Sequence, residues 1–210
     1  CIRDRLWRRR LTTASRGAAV RDHFVPMLSE FVRLCGSASR MQADSDVTLG
    51  GELFVRMHAY FQRYDWAATW NHPLSVRAWR QAWSKVMREE WAELLPYEKP
   101  HEADLDQAYG LYMHFLMCMT SPLDEGATVV HASHHGIQAV LGAVARLRNG
   151  AAYVIWDHGI LWRERVKSLA EFTVFSLFVR NAMIGLPRMC VAVNMPSAAA
   201  LVACTNVVTR

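Results

Sequence analysis

Two short polar segments carry the residue types best suited to chemistry, and each follows a hydrophobic run. The first is HASHHG, residues 131–136, and the second is DHG, residues 157–159. Imidazole and carboxylate groups are the usual proton carriers and ligand-binding groups of active sites. A glycine in each segment would let the backbone approach a ligand closely. These two segments are therefore the first candidates for a functional site.

The hydrophobic runs that precede these segments are predicted to be buried β-strands. TVVHA (128–132) and AAYVIW (151–156) are short and rich in β-branched and aromatic residues. Between them, residues 137–147 show apolar positions at three- and four-residue spacing, which predicts a helix that ends at Asn149 and Gly150. A strand, a helix and a strand of these lengths form a parallel βαβ unit with a right-handed connection.

Neighbouring parallel strands end at the same edge of a sheet, where ligands bind in open α/β folds. We therefore expect the two polar segments to lie side by side. The residues predicted to share this edge are His131, His134, His135, Gly136, Asp157, His158 and Gly159. A pair of ordinary polar surface loops is the alternative interpretation.

Two kinds of ligand fit these residue types. The three histidines of the first segment and Asp157 offer nitrogen and oxygen ligands for zinc, although Gly136 interrupts the helical spacing that would align them. A sugar or phosphate is the other, because each glycine precedes a predicted helix whose free N–H groups favour an anion. Arg163 and Arg165 fall at the start of the next helix, where positive side chains need a negative partner such as Glu164 or a phosphate. We assign no metal ligand and favour the sugar or phosphate site.

The first half of the chain is predicted to be helical. Apolar residues at helical spacing predict helices at 18–35, 50–64, 74–95 and 102–119. The tryptophans of this half are assigned to the core rather than to a sugar-stacking platform: Trp66, Trp70, Trp79, Trp83 and Trp91. Asp104 and Asp106 are assigned to the start of the last of these helices rather than to a catalytic pair.

The end of the chain returns to mixed structure. It is predicted to contain a helix at 165–184, a break at 185–187 (Gly-Leu-Pro), a second helical piece and a strand at 199–204. The sequence therefore predicts an α/β fold in a single domain. Residues 1–120 form its mostly helical part, and residues 121–210 form a parallel sheet with its helices.

Composition and charge restrict the classes of function. With 210 residues, of which 52% are hydrophobic, the chain can bury one core. The formal net charge of +5 comes from an arginine-rich segment before residue 22, which indicates a solvated terminus or a contact with phosphate. Peripheral association with an anionic membrane surface also stays open. No nucleic-acid motif is present, so nucleic acid is not an expected partner.

Cysteine usage and hydropathy point to a soluble cytoplasmic protein. The five cysteines are widely spaced and include no C-x-x-C pair, which predicts reduced, buried thiols. No secretory signal is visible, and no apolar run reaches the ~20 residues that a membrane-spanning helix needs. The chain starts at Cys1 and stops directly after a predicted strand, so we expect a fragment of a longer protein.

The order of these features resembles the N-terminal domain of GT-B glycosyltransferases. The PelF-like exopolysaccharide enzymes of the retaining glycosyltransferase family four show His-Ala-x-Ser-x-Gly and, after a strand, Thr-Glu-His-Gly-Ile-Tyr-x-Arg-Glu-Arg. HASHHG and WDHGILWRER (156–165) are similar to this pattern. The departures from it are Trp156-Asp157 in place of Thr-Glu, Leu161-Trp162 in place of Tyr and its neighbour, and His134-His135 in the turn.

The resemblance implies a Rossmann-like parallel sheet and a retaining, metal-independent enzyme without a cofactor. Such an enzyme transfers a sugar from a nucleotide-diphosphate donor, expected to be a UDP-sugar, to a glycan or lipid-linked acceptor. His158 would contact the transferred sugar, while Arg163 and Arg165 would neutralise phosphate or position the acceptor. The donor site would lie in a C-terminal GT-B domain that this chain lacks, so the chain alone is expected to be inactive.

Two other functions stay open. The departures from the pattern could mark a catalytically inactive, glycosyltransferase-like module that binds or regulates. The histidine cluster could instead serve a metal-dependent hydrolase.

Overall fold

A computed structural model describes residues 17–37, 44–92, 100–157, 161–171 and 174–203. Its α-helices and strands are α1 (Val25–Ser37), α2 (Asp44–Phe61), α3 (Trp66–Trp70), α4 (Pro73–Glu89), α5 (Glu102–Phe115), β1 (Val129–Ala132), α6 (Val140–Asn149), β2 (Ala152–Asp157), α7 (Leu161–Glu171), α8 (Leu177–Ser197) and β3 (Ala200–Ala203). Shorter helical segments adjoin them: Gly17–Ala19 and the π-helical Val20–Phe24 before α1, the 3-10 segment Leu116–Thr120 after α5, and the 3-10 turn Ile137–Ala139 before α6. The fold is mostly helical α/β with a small parallel sheet, and each of the four ranges predicted for the first half contains a helix, although the one predicted at 74–95 ends at Glu89.

The start of α5 shows how a local signal in the sequence sets a helix boundary. The Asp104 carboxylate accepts a hydrogen bond of 2.7 Å from the backbone N–H of His101, which is the reciprocal bond of a capping box. Asp106 has another role, because its carboxylate accepts from the Arg80 guanidinium of α4 at 2.9 Å. The assignment to the helix start is therefore confirmed for Asp104, whereas Asp106 lies beyond the first turn and ties α5 to α4.

The helices of the first half enclose an aromatic core. Trp70, Trp79 and Trp83 are fully buried, and Trp66 and Trp91 are nearly so. Trp79 also donates a hydrogen bond of 2.9 Å from Nε1 to the carbonyl of Leu105 in α5. The tryptophans are core residues, as the sequence predicted. They fix the helices against one another because a buried indole fills a large volume in one orientation.

Helix α8 departs from the sequence prediction. The predicted helix at 165–184 is wrong, since α7 ends at Glu171 and a new helix begins after Ser176, whose hydroxyl accepts from the Val179 N–H at 3.3 Å. The predicted break at 185–187 is also wrong, because α8 runs continuously from Leu177 to Ser197 and contains Pro187.

Packing explains why α8 tolerates its glycine and proline. Gly185 lies against the carbonyl of Cys35 in α1, so its missing side chain allows close approach of two helices rather than a break. Pro187 removes the N–H that would bond to the Met183 carbonyl. The helix is held at this point by tertiary contacts, including a hydrogen bond of 2.6 Å from the Tyr112 hydroxyl to the Ala182 carbonyl.

The three strands form one parallel sheet in the order β1-β2-β3, which confirms the predicted βαβ unit. Helix α6 connects β1 to β2, and Gly150 ends it in the left-handed conformation at φ 72°. Alternate residues of β2 face opposite sides. Tyr153 and Ile155 are buried on the side of α6, whereas Trp156 is 44% exposed on the other side.

The described thiols fit the prediction of reduced, buried cysteines. Cys35 and Cys190 are buried and free, and Cys118 is half-buried and free. Burial raises the pKa of the Cys118 thiol to about 11. Cys1 and Cys204 lie outside the described residues. Within the same described segments, no helix has the length and apolarity to cross a membrane.

Candidate functional site

One residue from each polar segment, His135 and Asp157, lies at the same edge of the sheet, as predicted. Strands β1 and β2 are parallel neighbours, and Ala132, the last residue of β1, is paired with Ile155 near the end of β2. The chain therefore leaves both strands at the same edge, where it enters the segments that contain His135 and Asp157.

His135 and Asp157 form a buried polar pair at this edge. His135 is 6% exposed and Asp157 is 4% exposed, and Nδ1 of the imidazole lies 3.5 Å from Oδ2 of the carboxylate. Nε2 of His135 is buried without a hydrogen-bond partner among the described residues. With Nδ1–H directed to the carboxylate, Nε2 is left as a free acceptor. The carboxylate thereby fixes the orientation of the imidazole at this edge.

Packing beneath the first segment holds it in place. The Tyr153 hydroxyl of β2 donates a hydrogen bond of 2.7 Å to the carbonyl of Ala139, in the 3-10 turn that follows the segment. The Tyr153 ring lies so close to Gly142 of α6 that any side chain at position 142 would overlap it. A glycine in α6 thus lets β2 and α6 come together, and the hydrogen bond to Ala139 holds the 3-10 turn that directly follows the segment.

The other two histidines of the first segment, His131 and His134, are exposed. His131 precedes the end of β1 on the opposite side of the sheet from Asp157, and its exposed ring lies against Trp156 at a centroid distance of 6.0 Å. His134 is exposed in the segment itself. Among the described residues, no group of three or more histidine, cysteine, aspartate or glutamate side chains is placed to hold a metal ion.

Gly136 has an ordinary backbone conformation. Its φ of −94° and ψ of −178° are extended values that any residue can adopt. Helix α6 begins only at Val140, so the 3-10 turn Ile137–Ala139 lies between this glycine and the helix N-terminus. The close approach of a ligand to Gly136 stays a prediction.

The remaining predicted residues lie on or before α7. Arg163 and Arg165 are exposed in its first turns, which confirms their position at a helix start. The Arg165 guanidinium lies 5.5 Å from the centre of the Phe115 ring of α5, a cation–π distance that anchors this side chain to the helical part. His158 and Gly159 lie outside the described residues, between Asp157 of β2 and the first residue of α7.

A second polar cluster was missed by the sequence analysis. His58 of α2 is 1% exposed and donates from Nε2 to the carbonyl of Ser121 at 2.9 Å. It borders a cavity of about 370 Å³ whose lining consists of His58, Gln62, Arg63, Leu123, Glu125 and Arg148. These residues come from three separate segments of the chain. A single histidine on an otherwise apolar helix face gave no signal that could have identified the cluster.

The buried His58 makes stability depend on pH. Desolvation lowers its pKa, the hydrogen bond to Ser121 opposes this shift, and the charge of Arg148 adds to it. The folded protein therefore keeps His58 neutral at a pH where an unfolded histidine, with a pKa of about 6.5, already binds a proton. The contribution of His58 to the free energy of unfolding is thus fully present above pH 6.5. It is lost as the pH falls below this value, by up to about 1.4 kcal/mol per pH unit.

We expect the variant His58→Gln to lose this pH dependence, because glutamine can donate to the same carbonyl but does not titrate. The measurement is the free energy of unfolding in urea at pH 7 and pH 5.5 for wild type and variant. The wild type should lose more stability over this interval than the variant. An equal loss in both proteins would show that His58 does not carry the effect.

Comparison with known proteins identifies the family. The sequence profile of a domain of unknown function, DUF3492, matches residues 66–206. Neither the curated proteins nor the solved structures include a significant match to the chain. The matched residues begin with α3 and extend through β3, so they contain the whole sheet and the edge that carries His135 and Asp157. Since this profile covers well over half of the sequence, the chain belongs to the DUF3492 family.

Proposed function

We propose that this chain is the acceptor-side part of a retaining GT-B glycosyltransferase. The protein would transfer a sugar from a nucleotide-diphosphate donor, such as a UDP-sugar, to a glycan or lipid-linked acceptor. The observation that carries the proposal is that His135 of HASHHG and Asp157, which begins DHG, lie together at the carboxyl edge of two adjacent parallel strands. Family membership supports it, because the DUF3492 domain is found in glycosyltransferase-like proteins.

The roles of the residues follow from their order along this edge. Asp157 is the last residue of β2, and its burial beside His135 fixes the point at which the chain leaves the sheet. His158 comes next and is the residue proposed to contact the transferred sugar. Arg163 lies five residues further along the sequence, in the first turn of α7, where it would offset the charge of the leaving phosphate.

The nucleotide sugar would bind mainly to a second domain. In this arrangement the edge of the sheet forms one wall of a cleft between domains, and the acceptor lies against it. The 210-residue chain by itself should then show no transfer. Detection of sugar transfer by this chain alone would place the donor site within it and would contradict the proposal.

The test replaces His158 by alanine in the protein that contains both domains. We expect release of UDP from a panel of UDP-hexoses to fall by about tenfold or more, since a group that contacts the reacting sugar stabilises the transition state. Lys167→Ala is the matched control, because Lys167 is an exposed cation on α7 outside the proposed site and its loss should leave turnover unchanged.

One observation favours a second candidate, a catalytically inactive module that binds sugar. Trp156 occupies the position of the threonine in the Thr-Glu-His-Gly motif of the PelF-like enzymes. Its indole is partly exposed and lies beside the His131 ring. An exposed aromatic surface of this kind suits stacking on a sugar. UDP-sugar binding without any turnover, together with full binding by the His158→Ala variant, would support this module over the enzyme.

A further inference from the structure

The cavity bordered by His58 has the features of a small-molecule site. Its volume of about 370 Å³ is within the range of ligand pockets. One wall is the end of α2 with Gln62 and Arg63, and the other walls are the segment before β1 and the last turn of α6. Gln62 links the end of α2 to the 3-10 segment Leu116–Thr120, because its Nε2 donates a hydrogen bond of 3.3 Å to the Met119 carbonyl.

The charges around this cavity favour an anion. Arg63 is exposed, and its guanidinium has no ion-pair partner among the described residues. Arg148 pairs with Glu125 at 2.8 Å, which uses one of its several donors. Two arginines against one glutamate leave the lining with a net positive charge, and a phosphate between the two guanidinium groups would be held by charge-assisted hydrogen bonds.

His58, which borders the cavity, has a hydrogen-bond acceptor that no donor in the described part of the chain reaches. A carbonyl oxygen only accepts, so the bond to Ser121 places the hydrogen of His58 on Nε2. Nδ1 is then an acceptor, and it is buried without a partner among the described residues. An unpaired buried acceptor is costly, and a hydroxyl group that reached it would remove this cost.

We propose that this cavity binds a small phosphate ester that carries a free hydroxyl group. The phosphate lies between Arg63 and Arg148, and the hydroxyl donates to Nδ1 of His58. The site lies at the amino edge of the sheet, since Glu125 precedes β1 and Arg148 precedes β2. It is therefore separate from the carboxyl edge with Asp157, and it does not depend on the proposed sugar transfer.

Glycerol 3-phosphate is the simplest probe with both groups, and isothermal titration calorimetry on the purified protein measures its binding. We expect saturable binding with one site. Inorganic phosphate, which has no carbon-bound hydroxyl to reach His58, should bind about fivefold to tenfold more weakly, and glycerol alone should not bind detectably. No saturable heat with glycerol 3-phosphate, or an equal affinity for inorganic phosphate, would overturn the proposal.

Two arginine variants, one on α2 and one just beyond its end, locate the binding. Arg63→Ala should weaken the binding of glycerol 3-phosphate by about tenfold or more, because it removes a charge-assisted contact. Arg56→Ala is the matched control, an exposed arginine on α2, seven residues earlier in the sequence, that does not line the cavity. Both side chains are exposed, so both variants should fold. Unchanged affinity in Arg63→Ala, or an equal loss in Arg56→Ala, would overturn the assignment to this cavity.

Discussion

Replacing Gly185 by alanine is expected to lower the free energy of unfolding by about 2–3 kcal/mol. A Cβ at this position would overlap the carbonyl oxygen of Cys35, and the neighbouring carbonyl carbon of Cys35 would be only 3.0 Å away. Both are backbone atoms, so neither can turn aside as a flexible side chain could. Helices α1 and α8 would have to move apart, which would loosen the core between them.

Gly110→Ala is the matched control for this variant. Gly110 also lies inside a helix, α5, but a Cβ there would meet nothing within 4 Å. The higher helix propensity of alanine should make this variant more stable than wild type by about 0.5–1 kcal/mol. Urea unfolding followed by tryptophan fluorescence measures both variants. If Gly185→Ala were as stable as Gly110→Ala, the close backbone contact between α1 and α8 would be wrong.

Trp79→Phe should destabilise the protein by about 2 kcal/mol more than Trp83→Phe. The two tryptophans lie one turn apart on α4, both are fully buried, and both variants lose the same volume. They differ in hydrogen bonding. Trp79 donates to the Leu105 carbonyl, whereas the Nε1 of Trp83 is buried without a partner among the described residues.

The difference arises because the first substitution breaks a buried hydrogen bond and the second removes a buried donor that has none. An unpaired buried N–H costs about 1–3 kcal/mol, so its removal offsets part of the packing loss in Trp83→Phe. The midpoint and slope of urea unfolding give the two free energies. Equal destabilisation by the two variants would indicate that Trp83 has a partner, such as an ordered water.

Local patterns predicted most of the helices and strands. The predictions fail where tertiary contacts determine whether a helix continues or ends. Asp104 and Pro73 mark helix starts through bonds and conformations within a few residues, so the sequence contains the whole signal. In α8, Gly185 and Pro187 give the local signal of a break. The contact of Gly185 with α1 and the hydrogen bond of Ala182 with α5 involve residues far away in the sequence, and these contacts keep the helix continuous.

The candidate site was predictable in its location but not in its arrangement. Parallel pairing alone brings His135 and Asp157 to one edge, and the sequence is sufficient for that step. The separation of His131 from this pair depends on which side of β1 faces α6, and the burial of His135 depends on tertiary packing that no local pattern predicts. The His58 cavity joins segments that have no pattern in common, so only the folded structure reveals it.

The position of α8 also has a consequence for how the chain folds during synthesis. The Cys35 thiol contacts the Met189 sulfur at 3.5 Å across 154 residues of sequence, so the core around α1 is completed by a helix made much later. At about 5–20 residues per second, the ribosome needs about 4–15 s to extend the chain from the end of the 3-10 segment at Thr120 to Ser197. Over that interval the apolar surface that receives α8 faces water, which makes the nascent helical half a natural client for chaperones that shield exposed hydrophobic surface.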